Sequence, residues 1–399
     1  MSPSLIALFI AAFAFGTTEF VIAGILPNVA EGLDVSIPTA GYLVSGYAIG
    51  IAIGGPLLTM ATARMARKTL IMGLLTVFMI GQAACALAPD FASMLIIRAV
   101  IAVVHGAYFG VAMVVAVSLV REERRSMAVA VILAGLTVSN VIGVPIGAAI
   151  GTIWGWRATF WAMLALGMIA SLALLFMLPA DTATGTRPTG FIREVSVLRR
   201  QQVWTSLIVM LMLMLCQYVP YTYIAPLLHE VTGLDDAQVP WVLLMNGLGA
   251  TFGVFAGGRL ADWKLMPSLI TLLALQALVM TAMFIVAPYP VPMIIAVTLW
   301  GALNFAIGTP IQSRILGWTA DAPNLASSLI PSGFNLGIAI AAFVGASLLN
   351  NGFGYASLPV LGIAAMAVAT FVAALSYAWE QRSGMNPPRR RTEELSALS

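Results

Sequence analysis

Charge is what this sequence has least of. Only 9% of its 399 residues are Asp, Glu, Lys or Arg, where a soluble domain carries roughly 25%. Cysteine is nearly absent as well. Cys85 and Cys216 each fall inside an apolar run, which excludes a disulfide framework or a zinc cluster as the organising feature. Both read as small core residues. The two histidines, His105 and His229, are 124 positions apart, so an H-E-x-x-H zinc motif is impossible. Neither of the two lysines, Lys68 and Lys264, closes a G-x-x-x-x-G-K-[ST] sequence, which removes the P-loop and ATP hydrolysis by that route. No G-x-S-x-G lies in a strand-to-helix context. These absences leave no visible catalytic constellation, and the chain is read as a non-enzyme without a metal site.

What is present is hydrocarbon. Hydrophobic residues make up 60% of the chain and the mean hydropathy is +0.98. About 20 residues at 1.5 Å rise cross the roughly 30 Å core of a bilayer. Twelve apolar runs reach that length, at about 4–27, 38–61, 69–89, 91–119, 126–150, 158–178, 203–228, 240–258, 265–287, 291–316, 324–349 and 356–379. The first run is too long for a signal-peptide core and has no basic segment before it, so it is expected to remain as a span. The expected layout is an all-α integral membrane protein. A six-helix bundle (1–179) is followed by a linker (180–202), a second bundle (203–380) and a tail (381–399).

Basic residues set the orientation. With the N-terminus on the cytoplasmic side, every Lys and Arg except Arg157 and Arg98 falls in a cytoplasmic segment. Reversing the chain would put nearly all of them on the wrong side. Both termini and the linker are therefore expected in the cytoplasm. The halves also share short basic connections, Thr62–Lys68 between spans 2 and 3 and Gly258–Lys264 between spans 8 and 9. Internal duplication of this kind is common among secondary transporters.

Glu19 is the one acid deep in a predicted span, and placing a carboxylate there costs about 3 kcal/mol. Arg98 is the one deep cation, and His105 lies seven residues on, along the same face of span 4. That face reads as the wall of a polar cavity or as a packed structural pair. Glu19 and Arg98 both lie about 12 Å below the outer surface, so they can meet if spans 1 and 4 are neighbours. Gly143, Gly147 and Gly151 stand at i, i+4 and i+8 of span 5, a smooth face for a neighbouring backbone, and Pro145 can kink that span. Gln217, Tyr218, Tyr221, Asn246, Asn304, Gln312 and Asn335 are candidates for a cavity lining in the second half, or for hydrogen bonds between helices. Tyr223 is a further candidate for that lining, and Tyr223 and Trp241 also fit the interfacial aromatic belt.

Several motifs together resemble the major facilitator superfamily, and within it the bacterial twelve-span drug:proton antiporters, in the branch of sugar-efflux and chloramphenicol-efflux permeases. They are Thr18-Glu19-Phe20 with Gly24-Ile25-Leu26-Pro27, Arg98 through His105-Gly106, Gly143-Val144-Pro145-x-Gly147, and Gly155-Trp156-Arg157-x-x-Phe160. The resemblance implies two pseudo-symmetric six-helix bundles around a central cavity. It also implies a monomer in the bacterial inner membrane that exports a small neutral or amphipathic molecule against protons, with the gradient in place of a cofactor and no nucleic-acid partner. Glu19 would carry the proton, with Arg98 and His105 biasing it. An importer of the same fold and a non-transporting receptor are the rival readings. The loop after span 2 departs from the family's G-x-L-A-D-R-x-G-R-K. Positions Thr59–Lys68 keep only Arg64, Arg67 and Lys68 of its marked residues, whereas the second-half copy keeps Gly258 and Asp262. Asp262 is therefore expected to carry more of a cytoplasmic lock.

Overall fold

The computed structural model describes residues 2–121, 124–179, 196–319 and 323–384. Residues 180–195 of the linker and 385–399 of the tail, together with Glu122, Glu123 and Asp321, lie outside them. The described chain is helical throughout its spans. The first half comprises α1 (Pro3–Gly24), α2 (Ile37–Ala61), α3 (Arg67–Ala86), α4 (Phe91–Ser118), α5 (Met127–Trp154) and α6 (Trp156–Met177). The second comprises α7 (Gln201–Thr222), α8 (239–263), α9 (265–286), α10 (Pro290–Trp318), α11 (Pro323–Asn350) and α12 (Leu358–Ser383).

The helix ends follow from local chemistry. Ser2 caps α1 and Asp90 caps α4, each accepting a backbone N–H three residues on. Gly155 joins α5 to α6 at φ 83°, a conformation that favours glycine. The expected seven-residue loop at Gly258–Lys264 is instead helical up to Lys264, where a single residue turns non-helical (φ −149°, ψ 89°). Ser268 Oγ donates to the Leu260 carbonyl at 3.0 Å across that break. Residues eight apart on a straight helix would be about 12 Å apart, so the chain doubles back there and α8 and α9 are two spans.

The glycine face of α5 receives α1. A Cβ at Gly147 would lie 2.5 Å from Val21, one at Gly151 would lie 2.5 Å from Ile25, and one at Gly143 would overlap Thr17. Thr17, Val21 and Ile25 therefore seat into Gly143, Gly147 and Gly151 turn by turn. Just before Pro145 the helix widens into a π-turn at Ser139–Gly143, and α2 does the same at Gly50–Gly54 ahead of Pro56. Proline has no N–H to donate, and a widened turn relieves its clash with the preceding carbonyls. Besides Gly333, Gly337 and Gly345 of span 11, which the sequence also marks as a glycine run, α8 carries a ladder of its own. Gly249, Gly253 and Gly257 of α8 lie directly on the carbonyls of Thr298, Ala302 and Ala306 of α10.

The two halves repeat each other. Helices α1 and α7 are both 22 residues long, and α7 begins 198 positions after α1. Each breaks at the next residue, Ile25 (φ −118°, ψ 11°) and Tyr223 (φ −112°, ψ 27°), before a short helical piece. By the same offset Gln217 occupies the place of Glu19, and Tyr218 that of Phe20.

Two placements differ from expectation. Arg314 was assigned to a basic connection, but it is buried near the end of α10. Its Nη2 donates to Glu380 Oε1 at 2.5 Å and to Ser376 Oγ at 2.8 Å, and its Nε donates to Ser206 Oγ at 2.9 Å. An arginine four residues from a span's end reads as loop-proximal in a sequence. Here a glutamate on α12 and two serines satisfy it inside the bundle. Tyr223, a candidate for the cavity lining or the interfacial belt, is fully buried and lies outside the cavity wall. Trp241 is 66% exposed.

Candidate functional site

Where the halves meet, a narrow cavity is lined by Glu19, Phe20, Ile22 and Ala23 of α1, and by Val44, Tyr47 and Ala48 of α2. From the second half it takes Tyr218, Tyr221 and Thr222 of α7 and Ile338 of α11. Glu19 is thus a wall residue, one turn before the end of α1. Its Oε2 lies 3.7 Å from His105 Nε2 on α4. That distance is longer than a hydrogen bond, and the contact is an ion pair only when the imidazole is protonated. On the other side of the imidazole, Nδ1 is 3.0 Å from Tyr47 Oη. In the tautomer that places N–H on Nε2, the Tyr47 hydroxyl donates to Nδ1 and Nε2–H faces the carboxylate.

Arg98 does not pair with Glu19 in the way the matching depths suggested. Its guanidinium lies 4.7 Å from the centre of the Tyr47 ring, and none of its nitrogens has a hydrogen-bond partner among the described residues. Nor do Arg98 and His105 form the cavity wall their shared face suggested. Both are buried and in contact with Tyr47, which lines the cavity in their place. The order is therefore Arg98, Tyr47, His105, Glu19. Depth along a helix places two groups at one level but leaves their azimuth open, and Tyr47 occupies the space between them. Tyr47 itself was missed, because a tyrosine within a span carries no signal until its partner is known. Phe15 and Phe109 flank the imidazole, with ring centroids 5.2 Å and 5.1 Å from it, and Tyr108 packs on both of those rings. Gln82 Nε2 donates to Thr18 Oγ1 at 3.2 Å one residue from the site.

The second-half candidates separate. Tyr218 and Tyr221 face the cavity, and Tyr218 stacks obliquely on Phe20 across the seam at 6.2 Å. Gln217 is buried beside them, with its Oε1 unpartnered. Asn246 is used elsewhere: its Nδ2 donates to the Val297 carbonyl at 2.9 Å and ties α8 to α10. Asn304 and Asn335 are buried, and each has an Oδ1 without a partner among the described residues. Asn335 Nδ2 donates to Pro331 within its own helix.

Away from the basic connections, the seam is closed by contacts between halves. Tyr42 of α2 meets Phe343 of α11 at 5.9 Å, and Gly24 packs on Leu243. At the basic end, Arg64 and Asp262 make no ion pair among the described residues, and Gly258 has open space around it. Arg67 is buried, and Lys68 Nζ beside it donates to the Leu175 carbonyl at 2.9 Å.

Broken first helices in duplicated halves and an ionisable residue in the wall of a cavity on the seam define a secondary-transporter architecture. The chain belongs to the Major Facilitator Superfamily, whose sequence profile matches residues 8–317. It is 38% identical over 358 residues to the inner membrane transport protein YdhP of Escherichia coli, covering 90% of this chain and 92% of that protein. It is 32% identical to a chloramphenicol resistance protein of Streptomyces lividans, covering 89% and 91%. Among solved structures it superposes on a bacterial homologue of the human lysosomal transporter Spinster, described as inward-facing and unoccupied. The TM-score is 0.71 at 17% identity, covering 94% and 95%.

Proposed function

We propose that this membrane transporter exports a small neutral or amphipathic molecule, such as an amphenicol or a sugar, in exchange for protons. Supporting it above all is the place of Glu19. It is a carboxylate in the wall of the central cavity, facing a histidine and one tyrosine away from a buried arginine. Protonation of Glu19 removes its charge and its attraction to His105. A change in carrier charge can thus be tied to a change in the contacts that line the cavity. The cavity lining offers aromatic faces and hydroxyls, with Glu19 its one charged group. That chemistry suits an uncharged ring-bearing molecule. A chloramphenicol resistance protein among the relatives favours a drug over a sugar.

In this reading the basic end is cytoplasmic, the chain works as a monomer in the bacterial inner membrane, and the closed end of the seam faces outward. The cavity then communicates with the cytoplasm, where a proton is released and substrate is taken up. The test uses proteoliposomes with an imposed pH gradient. Glu19→Gln is expected to abolish uphill export while substrate binding remains measurable. Uphill export at the wild-type rate would overturn the proton assignment. Substrate accumulation in the opposite sense would favour an importer.

A further inference from the structure

Tyr223 occupies a position that its counterpart in the first half cannot fill. Ile25, at the equivalent break, packs on Gly151 within its own half. Tyr223 packs on Gly345 of α11 in the same fashion, 2.7 Å from where a Cβ would stand. Its ring is longer, however, and continues past α11. The hydroxyl donates to the Ala342 carbonyl at 3.3 Å. The same hydroxyl abuts Gly41 of α2, which belongs to the other half. A Cβ at Gly41 would overlap Tyr223 Oη and stand 2.8 Å from Cζ. The side chain is fully buried. It enters from a helix already broken after Pro220, so the segment that carries it can swing without bending a continuous helix.

We infer that Tyr223 is the bolt of the outer gate: it is anchored on α11, and the missing side chain at Gly41 of α2 is the socket that lets the α2–α11 seam close. The inference rests on the alternating-access reading given above. Tyr223 itself shares no hydrogen bond with α2 among the described residues, so the bolt holds by fit and burial and releases without leaving an orphaned donor. Filling the socket should therefore prop the seam open, and shortening the bolt should relieve the obstruction.

The experiment is distance measurement between spin labels at Glu31→Cys and Asn351→Cys, both exposed at the outer end, with Cys85 and Cys216 replaced by alanine. The full-length chain is used in lipid nanodiscs. Wild type is expected to show short and long populations with the short one dominant. Gly41→Ala is expected to invert that ratio, by tenfold or more. Adding Tyr223→Leu to Gly41→Ala is expected to restore the short population. Should Gly41→Ala fold poorly, Tyr223→Leu alone still reports, because loss of the bolt should broaden the short population. A Gly41→Ala distribution equal to wild type would overturn the inference, as would a shift that Tyr223→Leu leaves in place. A single population in every variant, with and without a pH gradient, would overturn the moving-halves reading as well.

Discussion

At the scale of single residues, the site depends on Tyr47 holding an imidazole whose other nitrogen faces a carboxylate. Tyr47→Phe keeps the ring over Arg98 and removes only the hydroxyl. Proton-driven export is expected to fall about tenfold, the range of a lost hydrogen bond to a polar partner. The pH profile of transport should move while the fold is retained. An unchanged profile would mean that Tyr47 only fills space. Arg314 provides a stability counterpart. Removing one member of a buried ion pair strands the other, at a cost of about 3–5 kcal/mol. Arg314→Ala should lower the unfolding temperature in detergent more than the double variant Arg314→Met with Glu380→Leu. Asp90 lies outside the spans, and its carboxyl is held below the usual carboxylate range by the Ser93 N–H it caps. A depressed folded value means the cap is fully effective above the ordinary range and is lost as pH falls through the lowered one. Hydrogen exchange in the first turn of α4 should accelerate on that acid limb, and Asp90→Asn, a cap that does not titrate, should abolish the acceleration. Legibility at this scale was uneven. Glu19 stood out because a carboxylate in hydrocarbon has no bland explanation. Tyr47 and Tyr223 did not, because tyrosine is at home at interfaces, in cores and in cavities alike, and only its partners distinguish them.

At the scale of helices, spacing carried more than identity. The period of four in Gly143, Gly147 and Gly151 announced a close approach, though nothing in the sequence named α1 as the visitor. The matching period in Gly249, Gly253 and Gly257 carries the same message, masked in the sequence by the neighbouring Gly247 and Gly258. Gly253→Ala would drive a methyl into the Ala302 carbonyl, which is backbone and cannot rotate away. Folded yield should drop sharply, whereas Gly258→Ala, with nothing near its Cβ, should express like wild type. Equal yields would show that α8 and α10 can separate freely. The π-turns before Pro145 and Pro56 were half legible. A proline inside a span announces a disturbance, but whether it becomes a kink or a widened turn depends on which neighbour crowds it.

For the whole molecule, twelve apolar runs and the asymmetry of Lys and Arg were enough to lay out the architecture, because hydrocarbon permits few ways of satisfying a backbone. How the halves meet was less legible, since seam contacts such as Gly41 with Tyr223 join residues far apart in the chain. The closed seam leads to an expectation for the intact transporter. A substrate present only outside should bind poorly to protein held by a zero-length crosslink between α2 and α11, and one supplied from the cytoplasmic side should bind as before. Equilibrium binding to right-side-out and inside-out vesicles separates the two cases.

The mirrored pair Glu19 and Gln217 has a consequence for energetics. Duplication provided two equivalent places for an acid, and only one holds a group that titrates; the other is an amide. If Glu19 is the proton carrier proposed above, one carboxylate ferries at most one proton per cycle, and exchange for an uncharged cargo would move one net charge inward and generate a current. The membrane potential then contributes about 2.3 kcal/mol per 100 mV, and each unit of pH difference about 1.4 kcal/mol. With both at those values, one-for-one exchange would sustain a gradient on the order of 500-fold at most, since each 1.4 kcal/mol is a factor of ten. Restoring an acid at the mirrored site with Gln217→Glu would test whether that ceiling is set by the number of carboxylates.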